Sequence, residues 1–105
     1  MAIQITNDAE LRNLIFDNPK VIVKFTKTDC PICEKMGRIY EKLSHKKEFD
    51  TIKFLLMDAS ENPVSSKEVN LSGTPFFAIY RDGILSQCSL VSEPADLEKL
   101  LNHLR

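Results

Sequence analysis

Several residue types are scarce in this chain. It has no tryptophan, three glycines, three cysteines and a net charge of −1. Because 14 basic and 15 acidic residues are spread along its length, no basic stripe of the kind that binds nucleic acid is visible. No apolar run approaches the roughly 20 residues that a membrane-spanning helix needs. We therefore expect a protein that binds neither nucleic acid nor membranes.

The N-terminal segment MAIQITNDAE lacks the basic start and the apolar stretch of a signal peptide, which predicts a cytoplasmic protein. A length of 105 residues with 43% hydrophobic side chains is typical of one globular domain. We expect residues 1–105 to form a single domain that acts as a monomer. In a reducing compartment, two neighbouring cysteines are more often catalytic or metal-binding than structural.

Hydrophobic periodicity predicts the order β-α-β-α-β-α-β-β-α. Continuous apolar and β-branched runs predict strands at 2–5, 21–26, 51–57, 76–80 and 84–91. Helical spacing predicts a first helix ending near residue 18, a second over 31–45, a short third through 67–68, and a last one carrying Leu97, Leu100, Leu101 and Leu104. Strands alternating with helices indicate an α/β fold. We expect a mainly parallel sheet flanked by helices and closed by one antiparallel hairpin.

Local signals mark where these elements begin and turn. Residues 7–10, Asn-Asp-Ala-Glu, resemble a capping box with asparagine in place of serine or threonine. The Asn62-Pro63 pair breaks the chain before the short helix, and Pro94 lies near the start of the last one. The segment 81–83, Arg-Asp-Gly, predicts the hairpin turn.

Two of the three cysteines lie in the stretch KTDCPICEKM, between a buried strand and a helix. This context places Cys30 at the helix N-terminus, where Pro31 suits the first helical position. Unpaired N–H groups and the positive end of the helix dipole stabilise an anion there, which favours the nucleophilic thiolate of Cys30. Cys33 lies one turn further in, close enough to form a disulfide but more buried. We expect Cys30 to attack a target disulfide and Cys33 to resolve the mixed disulfide.

Other interpretations of the pair are open at this point. Zinc needs four ligands, and the only further candidates are Cys88, His45 and His103, none of them paired at ligand spacing. Metal binding would require a cluster bridged between two chains, so we predict no metal and no cofactor. Chance proximity of two core residues is the other alternative. The combination of strand, Cys-x-x-Cys and helix favours a redox pair.

Together these motifs resemble the thioredoxin family over nearly the whole chain. The resemblance is carried by residues 21–25 leading into CPIC, by Met57-Asp58, Glu61-Asn62-Pro63 and Gly73-Thr74-Pro75, and by the turn at 81–83. It implies a thioredoxin fold with a central mixed β-sheet, protein disulfides as substrates and a reductase as electron donor.

The resemblance also implies a role for the segment before the fourth strand. The Thr74–Pro75 bond should be cis and lie against the cysteine pair, and the Thr74 backbone should bind an extended substrate segment. From the residues alone, Pro75 would instead be a trans proline at the first residue of a strand.

The residues around the cysteines depart from thioredoxins proper, which carry Trp-Cys-Gly-Pro-Cys. Here Asp29 precedes Cys30, and Pro31 and Ile32 separate the cysteines, a Cys-Pro-x-Cys pattern closer to that of glutaredoxins. Because residues at these positions set the reduction potential, Asp29, Pro31 and Ile32 are predicted to tune the pair. We expect the protein to transfer electrons to client disulfides. The direction of transfer depends on the reduction potential, which these three residues affect.

Lys24 occupies the position, six residues before Cys30, at which the family has a buried acid. In thioredoxins that carboxylate is thought to help deprotonate the second cysteine, which a protonated lysine cannot do. A charged Lys24 would stabilise thiolates and make the couple more oxidising, whereas a neutral one can accept a proton. Alternatively, its ammonium group reaches the edge of the sheet or pairs with a carboxylate.

The remaining candidates have simpler interpretations. Cys88 lies in the last strand without a nearby cysteine, which is typical of a packing residue. Phe76 and Phe77 alternate between the faces of a strand and are expected in the core. His45 and His103, near helix ends, are expected to be solvated and without a role.

Two classes of function follow from these observations. We expect a thiol–disulfide oxidoreductase that acts on protein disulfides through Cys30 and Cys33. The alternative is a binding module of the same fold that captures partners through the surface at Thr74 and Pro75 without turnover.

Overall fold

The computed structural model describes residues 3–105, and the elements follow the predicted order. The strands are β1 (Ile3–Ile5), β2 (Lys20–Thr26), β3 (Lys53–Asp58), β4 (Phe76–Arg81) and β5 (Ile84–Leu90). The helices are α1 (Asp8–Asp17), α2 (Pro31–Ser44), α3 (Pro63–Glu68) and α4 (Pro94–Leu104), with a 3-10 turn at Lys47–Phe49. Residue 2 of the predicted first strand lies outside the described residues.

The predicted and observed boundaries differ most before β3. The sequence predicts a strand from residue 51, but Thr51 and Ile52 lie in a turn. The N–H of Ile52 donates to the carbonyl oxygen of Phe49 at 3.1 Å, and both side chains are buried. Buried apolar residues in a turn give the same sequence pattern as residues of a strand. The pattern therefore predicts that β3 begins two residues too early.

The strands form a mixed sheet in the order β1-β3-β2-β4-β5. β3 is parallel to β1 and β2, whereas β4 is antiparallel to both β2 and β5. The mixed sheet and the antiparallel β4–β5 hairpin are confirmed, but the expectation of a mainly parallel sheet is wrong because β2 and β4 also run in opposite directions. Helix length gives the reason. The 14-residue α2 spans about 21 Å and returns the chain along the sheet, so that β3 runs parallel to β2. The six-residue α3 spans only about 9 Å and does not return the chain, so β4 starts at the end of the sheet where β3 finishes and runs antiparallel to β2.

Alternate residues of the central strands enter two separate clusters, one on each face of the sheet. Ile22 packs with the apolar residues of α2 and α4, whereas Val23 packs on the opposite face, which α1 covers. Phe77 and Phe76 alternate in the same way, and both are buried, as predicted. By this alternation Lys24 lies on the face of Ile22, beneath α2.

Tyr40 joins α2 to the two central strands. Its hydroxyl lies 2.8 Å from the carbonyl oxygen of Leu55 on β3 and 3.1 Å from that of Ile22 on β2, and donates toward both. Burial raises the pKa of Tyr40 well above its ordinary value, so the hydroxyl keeps its proton. A hydrogen bond of this kind contributes about 1 kcal/mol and fixes the height of α2 over the sheet. The start of α2 is thereby positioned.

The predicted cap of α1 is present. Asn7 has extended backbone geometry, and its side-chain oxygen accepts the N–H of Glu10 at 3.0 Å. This satisfies one of the N–H groups that a helix start leaves unpaired.

A second network joins α1 to α3. The carboxylate of Asp8 accepts the N–H groups of Val64 and Ser65 at 3.1 and 2.8 Å. The side-chain oxygen of Asn62 accepts the N–H of Asp8 at 2.8 Å, while its amide nitrogen donates to the carbonyl oxygen of Asp58. Asp8 thus caps a helix that follows it by more than fifty residues in the chain.

The predicted hairpin turn between β4 and β5 is also confirmed. Asp82 and Gly83 have φ angles of 53° and 83°, both in the left-handed region that a type I′ turn requires. Glycine adopts this geometry without a steric penalty, and aspartate tolerates it better than most residues.

Candidate active site

The start of α2 brings Cys30 and Cys33 together. Cys30 is the N-cap residue with extended backbone geometry, and Pro31 occupies the first helical turn, as predicted. The two cysteines are joined by a disulfide, with Cα atoms 5.2 Å apart. The N–H of Cys33 donates to the sulfur of Cys30 at 3.2 Å. A helix N-terminus that donates to this sulfur is suited to stabilising a thiolate there.

The two cysteines differ in exposure. Cys33 is only 2% exposed, whereas Cys30 is half-buried and opens toward solvent. Pro31 and Ile32, between them, are exposed, and 48% of the Ile32 side chain is accessible. The sulfur of Cys30 is therefore the one that a large partner can approach.

Asp29 shapes the approach to the cysteine pair. Its φ angle is 57°, in the left-handed region, and its side chain is exposed. Aspartate tolerates this backbone geometry better than most residues. The sequence singled out Asp29 as a residue that tunes the cysteine pair, and the structure shows that it also lies at the turn from β2 into α2.

Lys24 lies inside the protein beneath the cysteines. It is 4% exposed, and its Nζ donates to the carbonyl oxygen of Cys33 at 2.8 Å. Burial lowers the pKa of Lys24, with no contribution from a charged neighbour. The side chain therefore neither reaches the edge of the sheet nor draws its main contact from a carboxylate.

Gly37 is a residue that the sequence analysis missed. A Cβ atom at this position would lie 3.0 Å from the Nζ of Lys24, tighter than ordinary packing. The glycine lets α2 pass close over the buried ammonium group. A glycine inside a helix costs about 1 kcal/mol relative to alanine, and this cost was the available signal in the sequence.

Thr74 completes the arrangement from the other side of Cys30. Its hydroxyl donates to the sulfur of Cys30 at 3.8 Å. The Thr74–Pro75 peptide bond is cis, and Pro75 is buried. A position 44 residues from Cys30 in the chain therefore lies against its sulfur.

A cleft of about 380 Å³ opens beside the disulfide, and Lys24 forms part of its wall. The cleft contains both cysteines, so the buried lysine and the redox pair share one solvent-accessible space. A larger groove of about 460 Å³ lies between α1 and α3, and no cysteine lines it.

The thioredoxin family model matches residues 2–105. The chain belongs to the thioredoxin family. Mitochondrial thioredoxin-3 of Saccharomyces cerevisiae is 32% identical to it, over 96% of this chain and 78% of the relative. Thioredoxin 1 of Plasmodium falciparum is 27% identical, over 92% of this chain and 91% of the relative. 

Solved structures of thioredoxins superpose closely on the chain. The oxidised form of mitochondrial thioredoxin 3 from S. cerevisiae gives a TM-score of 0.88 at 31% identity, covering 97% of this chain and 95% of that one. Spinach chloroplast thioredoxin F has the same fold, with a TM-score of 0.90 at 20% identity, covering 99% of this chain and 94% of that one. As a thioredoxin-family member with a joined cysteine pair, the chain is a protein disulfide oxidoreductase.

Other residues that the sequence singled out lie away from the pair. Cys88 is half-buried, packs on the α1 side of the sheet and donates through its sulfur to the carbonyl oxygen of Val69 at 3.4 Å. This matches its predicted packing role. His45 and His103 are exposed.

Within residues 3–105, no group of three or more histidine, cysteine, aspartate or glutamate side chains is arranged to hold a metal ion. In the same part of the chain, no helix has the length and apolar character needed to cross a membrane.

Proposed function

We propose that this thioredoxin-family protein reduces client disulfides, with Cys30 as the nucleophile and Cys33 as the resolving cysteine. The observation that carries this assignment is the difference between the two sulfurs. Cys30 is accessible and accepts a backbone N–H of α2, whereas Cys33 is almost fully buried. A stabilised, accessible thiolate attacks, and a buried thiol reacts only with a sulfur already bonded to its neighbour.

The exchange proceeds in two balanced steps. The Cys30 thiolate attacks one sulfur of the client disulfide, a mixed disulfide forms, and the second client sulfur leaves as a thiolate. Cys33, deprotonated, then attacks the sulfur of Cys30, and the first client sulfur leaves. The client disulfide gains two electrons and is reduced, and the Cys30–Cys33 pair loses two electrons and becomes a disulfide.

Thr74 and Pro75 are proposed to hold the client beside Cys30. The hydroxyl of Thr74 contacts the sulfur of Cys30, and Pro75 leads directly into β4. An extended client segment would pair with the backbone of Thr74 as an added strand, which places its disulfide in line with the nucleophile.

The surroundings of the pair are proposed to set its reduction potential. Pro31 and Ile32 form the exposed turn between the cysteines, Asp29 positions the turn before them, and Lys24 lies beneath. If these residues change the free-energy difference between the disulfide and dithiol forms by about 1.4 kcal/mol, the reduction potential changes by about 30 mV.

The cellular setting is also a proposal. Thioredoxins act on protein disulfides and are themselves reduced by a reductase, and we propose the same for this chain, acting as a single-domain monomer in the cytoplasm. The S. cerevisiae relative named above is mitochondrial, so the compartment is a separate question from the chemistry.

The test is dithiol-driven reduction of insulin. Cys30→Ser should abolish turnover, and Cys33→Ser should accumulate a mixed disulfide between Cys30 and the client. Cys88→Ser is the matched control, because it removes the third thiol from a position that packs on Val69, and its turnover should equal that of the wild type. Equal rates for Cys30→Ser and wild type would contradict the enzyme and favour the binding module.

A further inference from the structure

Lys24 is a buried titratable residue that faces the redox pair. Its ammonium group lies 2.8 Å from the carbonyl oxygen of Cys33, and its side chain is 4% exposed. α2 passes directly over it, because Gly37 has no Cβ and the space above the nitrogen is too small for a methyl group in ordinary contact. The lysine is thus held against the backbone of the resolving cysteine rather than free to move to the surface.

Among residues 3–105, no other charged side chain is buried, so Lys24 has no buried counter-charge. Leu56 and Phe77 pair with it on the neighbouring strands, and the exposed Lys27, Asp29 and Glu34 line the same cleft. The charges at the mouth are solvated, and water screens their effect on an internal group. In the disulfide form, the Lys24 nitrogen therefore faces a carbonyl dipole and apolar side chains.

Reduction changes this environment. When the Cys30–Cys33 bond breaks, a thiolate at Cys30 introduces a negative charge into the same cleft. An opposite charge near a buried ammonium group opposes the effect of desolvation on its proton affinity. Burial lowers the pKa of Lys24 in the disulfide form, which leaves room for it to rise on reduction.

We infer that Lys24 couples the redox state of the cysteine pair to proton binding, acting as the internal counter-charge of the Cys30 thiolate in the reduced form. The inference rests on the proposed role of Cys30 as the stabilised thiolate. Lys24 is a positioning residue, since it acts through the cysteines rather than on the client.

A dithiol donor transfers two electrons and two protons, its own disulfide forms, and the Cys30–Cys33 bond breaks. One proton goes to Cys33. Above the pKa of Lys24 in the disulfide form, the other goes to Lys24, opposite the Cys30 thiolate. Below that pKa, Lys24 already carries a proton, and the second proton passes to solvent.

The first experiment measures the thiol–disulfide equilibrium of the pair with glutathione at neutral pH. Lys24→Met keeps a side chain of similar length and removes the charge, so the reduced form should become about tenfold less favoured. Lys27→Met is the control, because it removes the same charge from an exposed position at the same cleft, and its equilibrium should change less than twofold. Equal changes in the two variants, or no change in either, would overturn the inference.

The second experiment follows Lys24 itself. In protein with isotope-labelled lysine, the Lys24 signal should titrate at a higher pH in the dithiol form than in the disulfide form. Coincident titration curves would overturn the coupling. Neither measurement needs a client, so the inference can fail while insulin reduction persists, and a loss of client turnover leaves both readouts intact.

Discussion

The N-termini of α2 and α3 have the same construction and opposite uses. Each begins with a proline after a residue of non-helical geometry, Cys30-Pro31 in one and Asn62-Pro63 in the other. Both follow the end of a central strand at the same edge of the sheet, where Thr26 pairs with Asp58. The difference is the group that accepts the free N–H donors.

In α3, the acceptor is a carboxylate from another helix. Asp8 binds the N–H groups of Val64 and Ser65, and its charge complements the helix dipole. In α2, the acceptor is the sulfur of Cys30, which receives the N–H of Cys33. The carboxylate is permanently charged near neutral pH, whereas the sulfur alternates between a disulfide and a thiolate. One helix start stabilises the fold, and the other stabilises a reactive anion.

Of the changes that test this comparison, removal of the Asp8 carboxylate at α3 should have the largest effect on stability. Asp8→Ala leaves two N–H groups of α3 without their acceptor and should lower the free energy of unfolding by about 1.5 kcal/mol. Urea unfolding of the reduced protein measures this loss, and the rate of insulin reduction should not change. Asp17→Ala is the control, since it removes an exposed carboxylate from the other end of α1. An equal loss in both variants would show that the cap contributes nothing.

A smaller effect is expected from changing the acceptor at α2. Serine is a strong N-cap residue and alanine is not, so Cys30→Ser should be about 1 kcal/mol more stable than Cys30→Ala. Both variants lack the nucleophile and should be inactive, so stability and activity separate at this position. If both variants unfold at the same urea concentration, the Cys30 side chain is not a cap.

The smallest effect is a pH dependence of the α3 cap. Burial alone would raise the pKa of Asp8, but hydrogen bonds from the Ser65 side chain and from the N–H groups of Ser65 and Val64 outweigh it and lower the pKa below its ordinary 3.8. Because the folded-state pKa is depressed, the carboxylate stabilises the fold above pH 3.8, and this contribution is lost as the pH falls through the folded value. The stability difference between wild type and Asp8→Ala should therefore shrink on acidification. A difference that stays constant would contradict the assigned pKa shift.

Much of the fold could be predicted because its signals are local. The β-branched run before Cys30, the leucines at helical spacing after Pro94 and the Asp82-Gly83 turn each depend on neighbouring residues, and each was confirmed. The direction of β4 relative to β2 was not predictable from element order, since a helix between two strands does not by itself say which end of the sheet the chain reaches.

The site was predictable to the same extent. Cys30 and Cys33 are one helical turn apart, so spacing alone brings them together. The network of Asp8 with Val64 and Ser65 had no signal in the sequence, because its partners lie more than fifty residues apart. The need for glycine at position 37 was likewise not predictable, because it comes from close packing against Lys24, a residue on another element.

The amino-acid sequence is enough to predict the cysteine pair at a helix start, the order of the elements and the family resemblance. These depend on spacing, periodicity and capping, which act over a few residues. The folded chain is needed to see that Lys24 is buried against Cys33, that Thr74 contacts Cys30 and that Asp8 caps α3. Each of these contacts joins different elements, and packing of the two faces of the sheet sets which side chains meet and which are removed from water.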